Sequence, residues 1–247
     1  MLDRFLGGRS TSIKIPLLVT AKHVFYDPKK KWHPSSVQLR FSWFAEKSVS
    51  EYPGIELRLR DQDGKPLWRA HPIETVDLAV LPLLVSTQDA GRLSVAPVRV
   101  QNFADTTDAF EGASVLVLGY PGAVGPDYWT KPIVRHGIIS HIDQPRFGKT
   151  PLLVDAMIFP GNSGGPVFTV PTGMRRDGSF AVGGRSAFLG VVSSVARQLV
   201  EVEKTMFSLE DVKADSSDTH FKSFDYMGLG VIEPAQRVQE LLNWIAR

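Results

Sequence analysis

The chain has 247 residues, 28 Lys+Arg against 26 Asp+Glu, 43% apolar residues and no cysteine. A chain of this length buries roughly 70% or more of its unfolded surface, enough for a core without covalent staples. The missing thiols exclude a disulfide scaffold, a thiolate zinc site, an iron–sulfur cluster and a cysteine nucleophile, and a formal charge of +2 gives no reason to expect a nucleic-acid groove or a membrane-binding face.

No run approaches the roughly 18 apolar residues that span a bilayer. The opening residues Met1-Leu2-Asp3-Arg4-Phe5-Leu6 lack the basic start, apolar stretch and cleavage site of a secretory signal, so a cytoplasmic protein is expected. Short apolar or alternating runs bounded by turn residues predict strands over 14–20, 37–44, 55–60, 78–83, 98–100, 114–119, 133–142, 152–156, 166–170, 187–193 and 228–232. The strictly alternating 55–60 run meets Asp61-Gln62-Asp63-Gly64 and returns over 65–69 as a hairpin. This is an all-β pattern, compatible with a sandwich or with barrels. The exception is the C-terminus, where Val238, Leu241, Leu242 and Ile245 form an i, i+3, i+4, i+7 stripe behind Pro234 and predict a helix over 234–246. Two polar stretches, 172–185 and 197–226, read as surface loops, the second with a short helix near 199–204. A division between two strand-rich halves falls within 101–111.

Chemistry has to come from oxygen and nitrogen groups. Ser163 sits between Gly161 and Gly164-Gly165, where the backbone can bend sharply and aim several N–H groups at one point, as an oxyanion hole requires; an ordinary Gly-rich turn would look the same. A serine nucleophile needs a base and an orienting carboxylate. His23 stands at the end of an apolar strand, whereas His33, His71, His136, His141 and His220 lie in polar or loop contexts. Asp77 opens the apolar run Leu78-Ala79-Val80-Leu81, so its carboxylate is partly buried and needs partners. His136 and His141, five apart on a strand, point to opposite faces and make a poor metal pair, and Gly148-Lys149-Thr150 lacks the upstream Gly of a phosphate loop.

The segments Thr20-Ala21-Lys22-His23, Asp77-Leu78-Ala79-Val80 and Gly161-Asn162-Ser163-Gly164-Gly165-Pro166 together resemble the three active-site blocks of trypsin-like, chymotrypsin-fold serine proteases, in that family's order. Arg135-His136-Gly137-Ile138-Ile139-Ser140 and Met227-Gly228-Leu229-Gly230-Val231-Ile232-Glu233-Pro234 extend the resemblance, which is greatest to bacterial HtrA-type protease domains and covers most of 13–247 without a PDZ-like segment. The resemblance implies two antiparallel β-barrels, 1–105 carrying His23 and Asp77 and 106–247 carrying Ser163 and the C-terminal helix, with the site in the cleft between them. It further implies Ser163 as nucleophile, His23 as base and then acid, Asp77 as the group fixing the imidazole, and the amides of Gly161 and Ser163 as oxyanion donors. Asn162 replaces the Asp that pairs with a newly cut N-terminal ammonium in pancreatic members, so no such activation is expected. By the same resemblance Met157 occupies the floor of the pocket for the residue preceding the cleaved bond (P1), with walls from Val192, Ser193, Ser194 and Gly228, a lining suited to a small or medium apolar side chain. A polypeptide substrate is expected, with no cofactor or metal. Alternative readings are a catalytically weak peptide-binding module of the same fold, or the protease domain of a larger multidomain effector.

Overall fold

The computed structural model describes residues 16–39, 55–84, 97–120, 132–174, 177–202 and 221–246. In the N-terminal half, β1 (Leu17–Thr20) pairs antiparallel with β5 (Ala79–Pro82), which also pairs with β4 (Arg69–Ala70), while β2 (Ser36–Leu39) and β3 (Ile55–Arg58) form a separate antiparallel pair. The single helical turn α1 (Lys22–Phe25) follows β1 directly. The C-terminal half is a closed barrel of six strands in the order β12-β13-β8-β7-β6-β9. Its members are β6 (Ser114–Gly119), β7 (Ile133–His141), β8 (Leu152–Asp155), β9 (Pro166–Thr169), β12 (Phe188–Val202) and β13 (Phe221–Pro234), and the short hairpin β10 (Gly173–Met174) and β11 (Phe180–Ala181) lies outside it. The last helix, α2 (Ala235–Ile245), begins directly after β13.

Alternation builds the barrel. Val115 and Val117 of β6 point inward and meet Ile139, Leu152, Val154, Val167, Leu189 and Ile232 in one buried cluster. At Gly137 of β7 an added Cβ would lie 2.1 Å from the Asp155 carbonyl oxygen and 2.5 Å from Ala156 Cβ, so this crossing tolerates no side chain. A second cluster joins the halves: Val76, Leu78 and Val80 pack against Phe188 and Val191 of β12 and against Ala235, Val238 and Leu241 of α2. The stripe predicted for the helix is therefore spent on the junction, with Leu242 and Ile245 at its margin. A third cluster under α1 contains Phe25, Leu57, Leu59, Trp68, Ala79 and Leu81.

Most predicted strands form with ends within one or two residues of those expected, except that β12 runs on past 193 to Val202 and β13 starts at Phe221 rather than at 228; the expected tails over 14–15 and 40–44 lie outside the described residues. Three expectations are corrected. The run 98–100 makes no strand: the chain turns into a 3₁₀ helix over Val100–Asn102, and the nearby sheet contact is the isolated bridge Phe103 to Phe188. Residues 197–202 and 221–226, expected as surface loop with a short helix near 199–204, are strand, because β12 continues to Val202 and pairs with β13 as far as Phe221. Cross-strand hydrogen bonding supplies what the polar pattern there does not advertise; residues 203–220 lie outside the described residues. The hairpin closes as expected through Asp61, whose carboxylate accepts the Asp63 and Lys65 N–H groups, but its return arm stops early and β4 leaves to join β5.

The crossing at Gly137 yields a direct test. Gly137→Ala should destabilise the barrel by about 1–3 kcal/mol through overpacking against backbone that cannot retreat. Denaturant unfolding with an unchanged midpoint would contradict the close approach.

Candidate active site

β1 and α1 deliver His23. Ala21 is fully buried at the start of the turn and provides no side-chain cap, while Phe25 anchors the other end against Trp68, ring centroids 5.8 Å apart. The first N–H groups of any helix lack intrahelical acceptors. Here Asp77 satisfies two of them: its carbonyl accepts the Lys22 N–H at 3.2 Å and its Oδ1 accepts the His23 N–H at 3.0 Å. The other carboxylate oxygen, Oδ2, lies 2.7 Å from His23 Nδ1. Asp77 thus caps the turn that carries His23 and also orients its imidazole. Val76 and Leu78, buried on either side, hold the Asp77 backbone in the junction cluster.

Asp77 Oδ2 has a further partner, the Ser193 hydroxyl, which donates to it at 2.9 Å. The register between β12 and β13 steps from Val192–Ile232 to Ser194–Val231, leaving Ser193 as the extra residue of a β-bulge. A bulge re-aims a side chain out of the sheet alternation, and here it directs the hydroxyl to Asp77. Ser193 was expected as a pocket wall; the contact with Asp77 was not anticipated.

The loop around Ser163 is fastened to the same stretch of β12. Gly164 N–H donates to Val192 O at 2.8 Å, and Val192 N–H donates back to Gly165 O at 2.9 Å. Gly164 has φ +83°, and a Cβ there would lie 2.1 Å from Thr20 Oγ1, so the loop packs directly on the end of β1. Within the loop Asn162 N–H is taken by Phe159 O, whereas the N–H groups of Gly161 and Ser163 donate to no acceptor among the described residues. Asn162 is 1% exposed, and neither its Oδ1 nor its Nδ2 has a partner among the described residues. Ser163 Oγ donates to Ser193 O at 3.4 Å; no hydrogen bond joins it to His23 among the described residues. Ser193 therefore touches both sides of the cleft, through its hydroxyl to Asp77 and its carbonyl to Ser163.

Met157 is 59% exposed and adopts φ +50°, a conformation that costs a non-glycine residue of order 1–3 kcal/mol and persists only where neighbours impose it. The neighbours are Gly228, whose Cβ position would be 3.3 Å from Met157 Sδ, and Arg135, whose Nη1 donates to Met157 O at 2.8 Å. The Arg135 guanidinium also stands over the Phe159 ring, 5.0 Å from its centroid. Of the expected walls, Ser194 is exposed, while Val192 is fully buried in the barrel core and presents only backbone to the cleft side.

The remaining histidines stand apart. His71 is buried, its Nδ1 accepting the Ile73 N–H at 3.1 Å and its Nε2 3.4 Å from Glu240; burial lowers its pKa below the ordinary histidine value. Contrary to the expectation of opposite faces, His136 and His141 are both exposed, because a register shift between Ile139 and His141 breaks the alternation of β7. His33 is exposed and His220 lies outside the described residues. Two residues near the centre escaped the sequence reading. Arg135 carried no signal beyond its place in β7. Glu233 carried one, a carboxylate inside the apolar end of β13, and its Oε1 accepts the Asp77 N–H at 3.1 Å.

A search of curated proteins returns no match to the chain. The family model of the trypsin-like peptidase domain matches residues 6–174, a span that includes His23, Asp77 and Ser163 and more than half of the sequence. With the mostly β architecture and its closed barrel, that match establishes the chain as a member of the trypsin-like peptidase family, with the chymotrypsin-type fold.

Proposed function

We propose that this family member is a serine endopeptidase in which Ser163 attacks the scissile carbonyl, His23 takes and returns the proton, and Asp77 holds the imidazole. The observation that carries the reading is the 2.7 Å contact between His23 Nδ1 and Asp77 Oδ2, made by an aspartate that also caps the His23 turn. With Nδ1 committed as donor to Asp77, the imidazole presents Nε2 as the basic nitrogen. For its hydroxyl to reach that nitrogen the Ser163 side chain has to leave Ser193 O; such bonds often tighten only when substrate is bound. Proton transfer as Oγ adds to the carbonyl carbon gives a tetrahedral oxyanion, for which the Gly161 and Ser163 N–H groups are the proposed donors. Collapse expels the amine, protonated by His23, and leaves an acyl-enzyme; water, activated by the same imidazole, then releases the acid.

The cleft favours a P1 side chain that is small or medium and apolar. Met157 offers no anion to a basic side chain, and the Arg135 cation at the Met157 carbonyl repels one. The absence of cysteine and the Asn162 next to the nucleophile support an affinity with HtrA-type domains. The Ser163 hydroxyl bonded to Ser193 O is the one observation that favours the alternative, a catalytically weak peptide-binding module.

Labelling with a fluorophosphonate probe separates these readings. The wild-type chain should label at mildly alkaline pH, Ser163→Ala should not label, and His23→Ala should label about a thousandfold more slowly or worse. An unlabelled wild type, or equal labelling of Ser163→Ala, would reject the peptidase reading. Cleavage of a peptide library should be concentrated after small and medium apolar residues, and a profile dominated by Arg or Lys would reject the pocket assignment.

A further inference from the structure

Asp77 is bound at every polar atom, and one of those bonds comes from a residue to which neither the fold nor the proposed chemistry assigns a role. Glu233, on β13 of the barrel half, is 4% exposed and its Oε1 accepts the backbone N–H of Asp77 at 3.1 Å. Its own backbone is held just as closely: Glu233 pairs in register with Val191 of β12, and a Cβ on the adjacent Gly190 would lie 2.1 Å from Glu233 O. The acceptor therefore sits on a wall that cannot shift. A carboxyl is costly to bury, and β13 could have closed the barrel with an apolar residue at this place.

We propose that Glu233 is a positioning residue for the catalytic dyad: its buried carboxyl oxygen clamps the Asp77 backbone from the opposite half of the molecule and thereby sets the aim of the Asp77 carboxylate on His23. The inference rests on the reading of His23 and Asp77 as the acid–base pair. The clamp acts in series. Glu233 fixes the Asp77 amide, Asp77 caps the Lys22–Phe25 turn and meets His23 Nδ1, and the imidazole is aimed at the Ser163 loop. Asp77 N–H would otherwise be an orphan donor beside the junction cluster, free to reorient the short segment between Val76 and Leu78.

The charged groups facing Glu233 are Asp77 from the segment before β5, Lys22 from α1 and Arg237 from α2, the last paired with Glu240 at 2.6 Å, which in turn faces the buried His71. Burial is the largest influence and raises the Glu233 pKa above the usual glutamate value; the Asp77 carboxylate adds to the rise, while the Asp77 N–H, Arg237 and Lys22 oppose it. The folded state therefore holds this proton more tightly than the unfolded chain does. Stability from this group is complete below the ordinary glutamate pKa and is lost as pH rises toward the raised folded value. Glutamine keeps the acceptor and removes that titration.

Two variants test the clamp: Glu233→Gln, which retains a carbonyl acceptor, and Glu233→Met, which retains volume and has none. Two readouts are used, the rate of fluorophosphonate labelling and the low-field proton NMR signal of His23 Nδ1–H hydrogen-bonded to Asp77. Glu233→Gln should keep the signal and label within about threefold of wild type, whereas Glu233→Met should lose or broaden the signal and label about tenfold or more slowly while still melting cooperatively. In Glu233→Gln the fall in melting temperature across the window above the ordinary glutamate pKa should also disappear. Glu233→Met with unchanged signal and rate overturns the proposal, as does an equal loss in both variants. If Glu233→Met does not fold, Glu233→Gln decides alone, a tenfold loss counting against the clamp and retention within threefold for it. A wild type that shows the proton signal but does not label defeats the nucleophile reading while the clamp stands or falls on the signal.

Discussion

A partly buried carboxylate needs hydrogen-bond donors in place of the water it loses, and in this protein that constraint falls on Asp77. Its two carboxylate oxygens accept from the His23 amide, the His23 imidazole and the Ser193 hydroxyl, its carbonyl accepts from Lys22, and its amide donates to Glu233. These partners come from α1 and from β12 and β13, so the residue can be satisfied only when the two halves are docked. The hydrogen bonding of one side chain and the joining of the halves are the same event.

Hydrophobic burial makes that docking possible. Full burial of a Val or Leu side chain contributes about 1.5–3 kcal/mol. Among the described residues the junction cluster holds eight buried apolar side chains, including Leu78, Val80, Val238 and Leu241, and so outweighs the several kcal/mol that an imperfectly paired buried carboxyl costs. Ser163 is held differently. Its loop carries no charge to satisfy, and it is fixed by backbone bonds to Val192 and by the close approach of Gly164 to Thr20. One side of the cleft is therefore ordered by electrostatic need and the other by steric fit, and Ser193 is the residue at which they meet.

Some of this could be read along the chain because it is local. Val115 and Val117 alternate, so β6 was visible with its true ends; Val238, Leu241 and Leu242 repeat with a helical period, so α2 was visible as well. What could not be read is pairing between distant segments. Arg197, Gln198 and Glu201 break the alternation of β12, and only the ladder to β13 makes a strand of them. Val98 and Val100 have strand composition but no partner edge, and the chain turns into a 3₁₀ helix instead. Ser193 looked like a pocket wall because its position after Val192 was legible and the bulge that turns its hydroxyl to Asp77 was not.

By itself the sequence determined the chemistry on offer: oxygen and nitrogen groups without thiols, a serine among glycines, and His23, Asp77 and Ser163 in an order that marks a family. Residue type and order are written along the chain and need no folding to be read. Only the tertiary structure decided which groups hold Asp77, because Glu233 lies 156 residues away and its oxygen meets the Asp77 amide only after the barrel has closed and α2 has packed across the junction. It also decided that the Ser163 hydroxyl rests on Ser193 O, a contact set by how the loop is fastened to β12. Long-range hydrogen bonds depend on ångström-scale placement of separate elements, and no local pattern of residues encodes that placement.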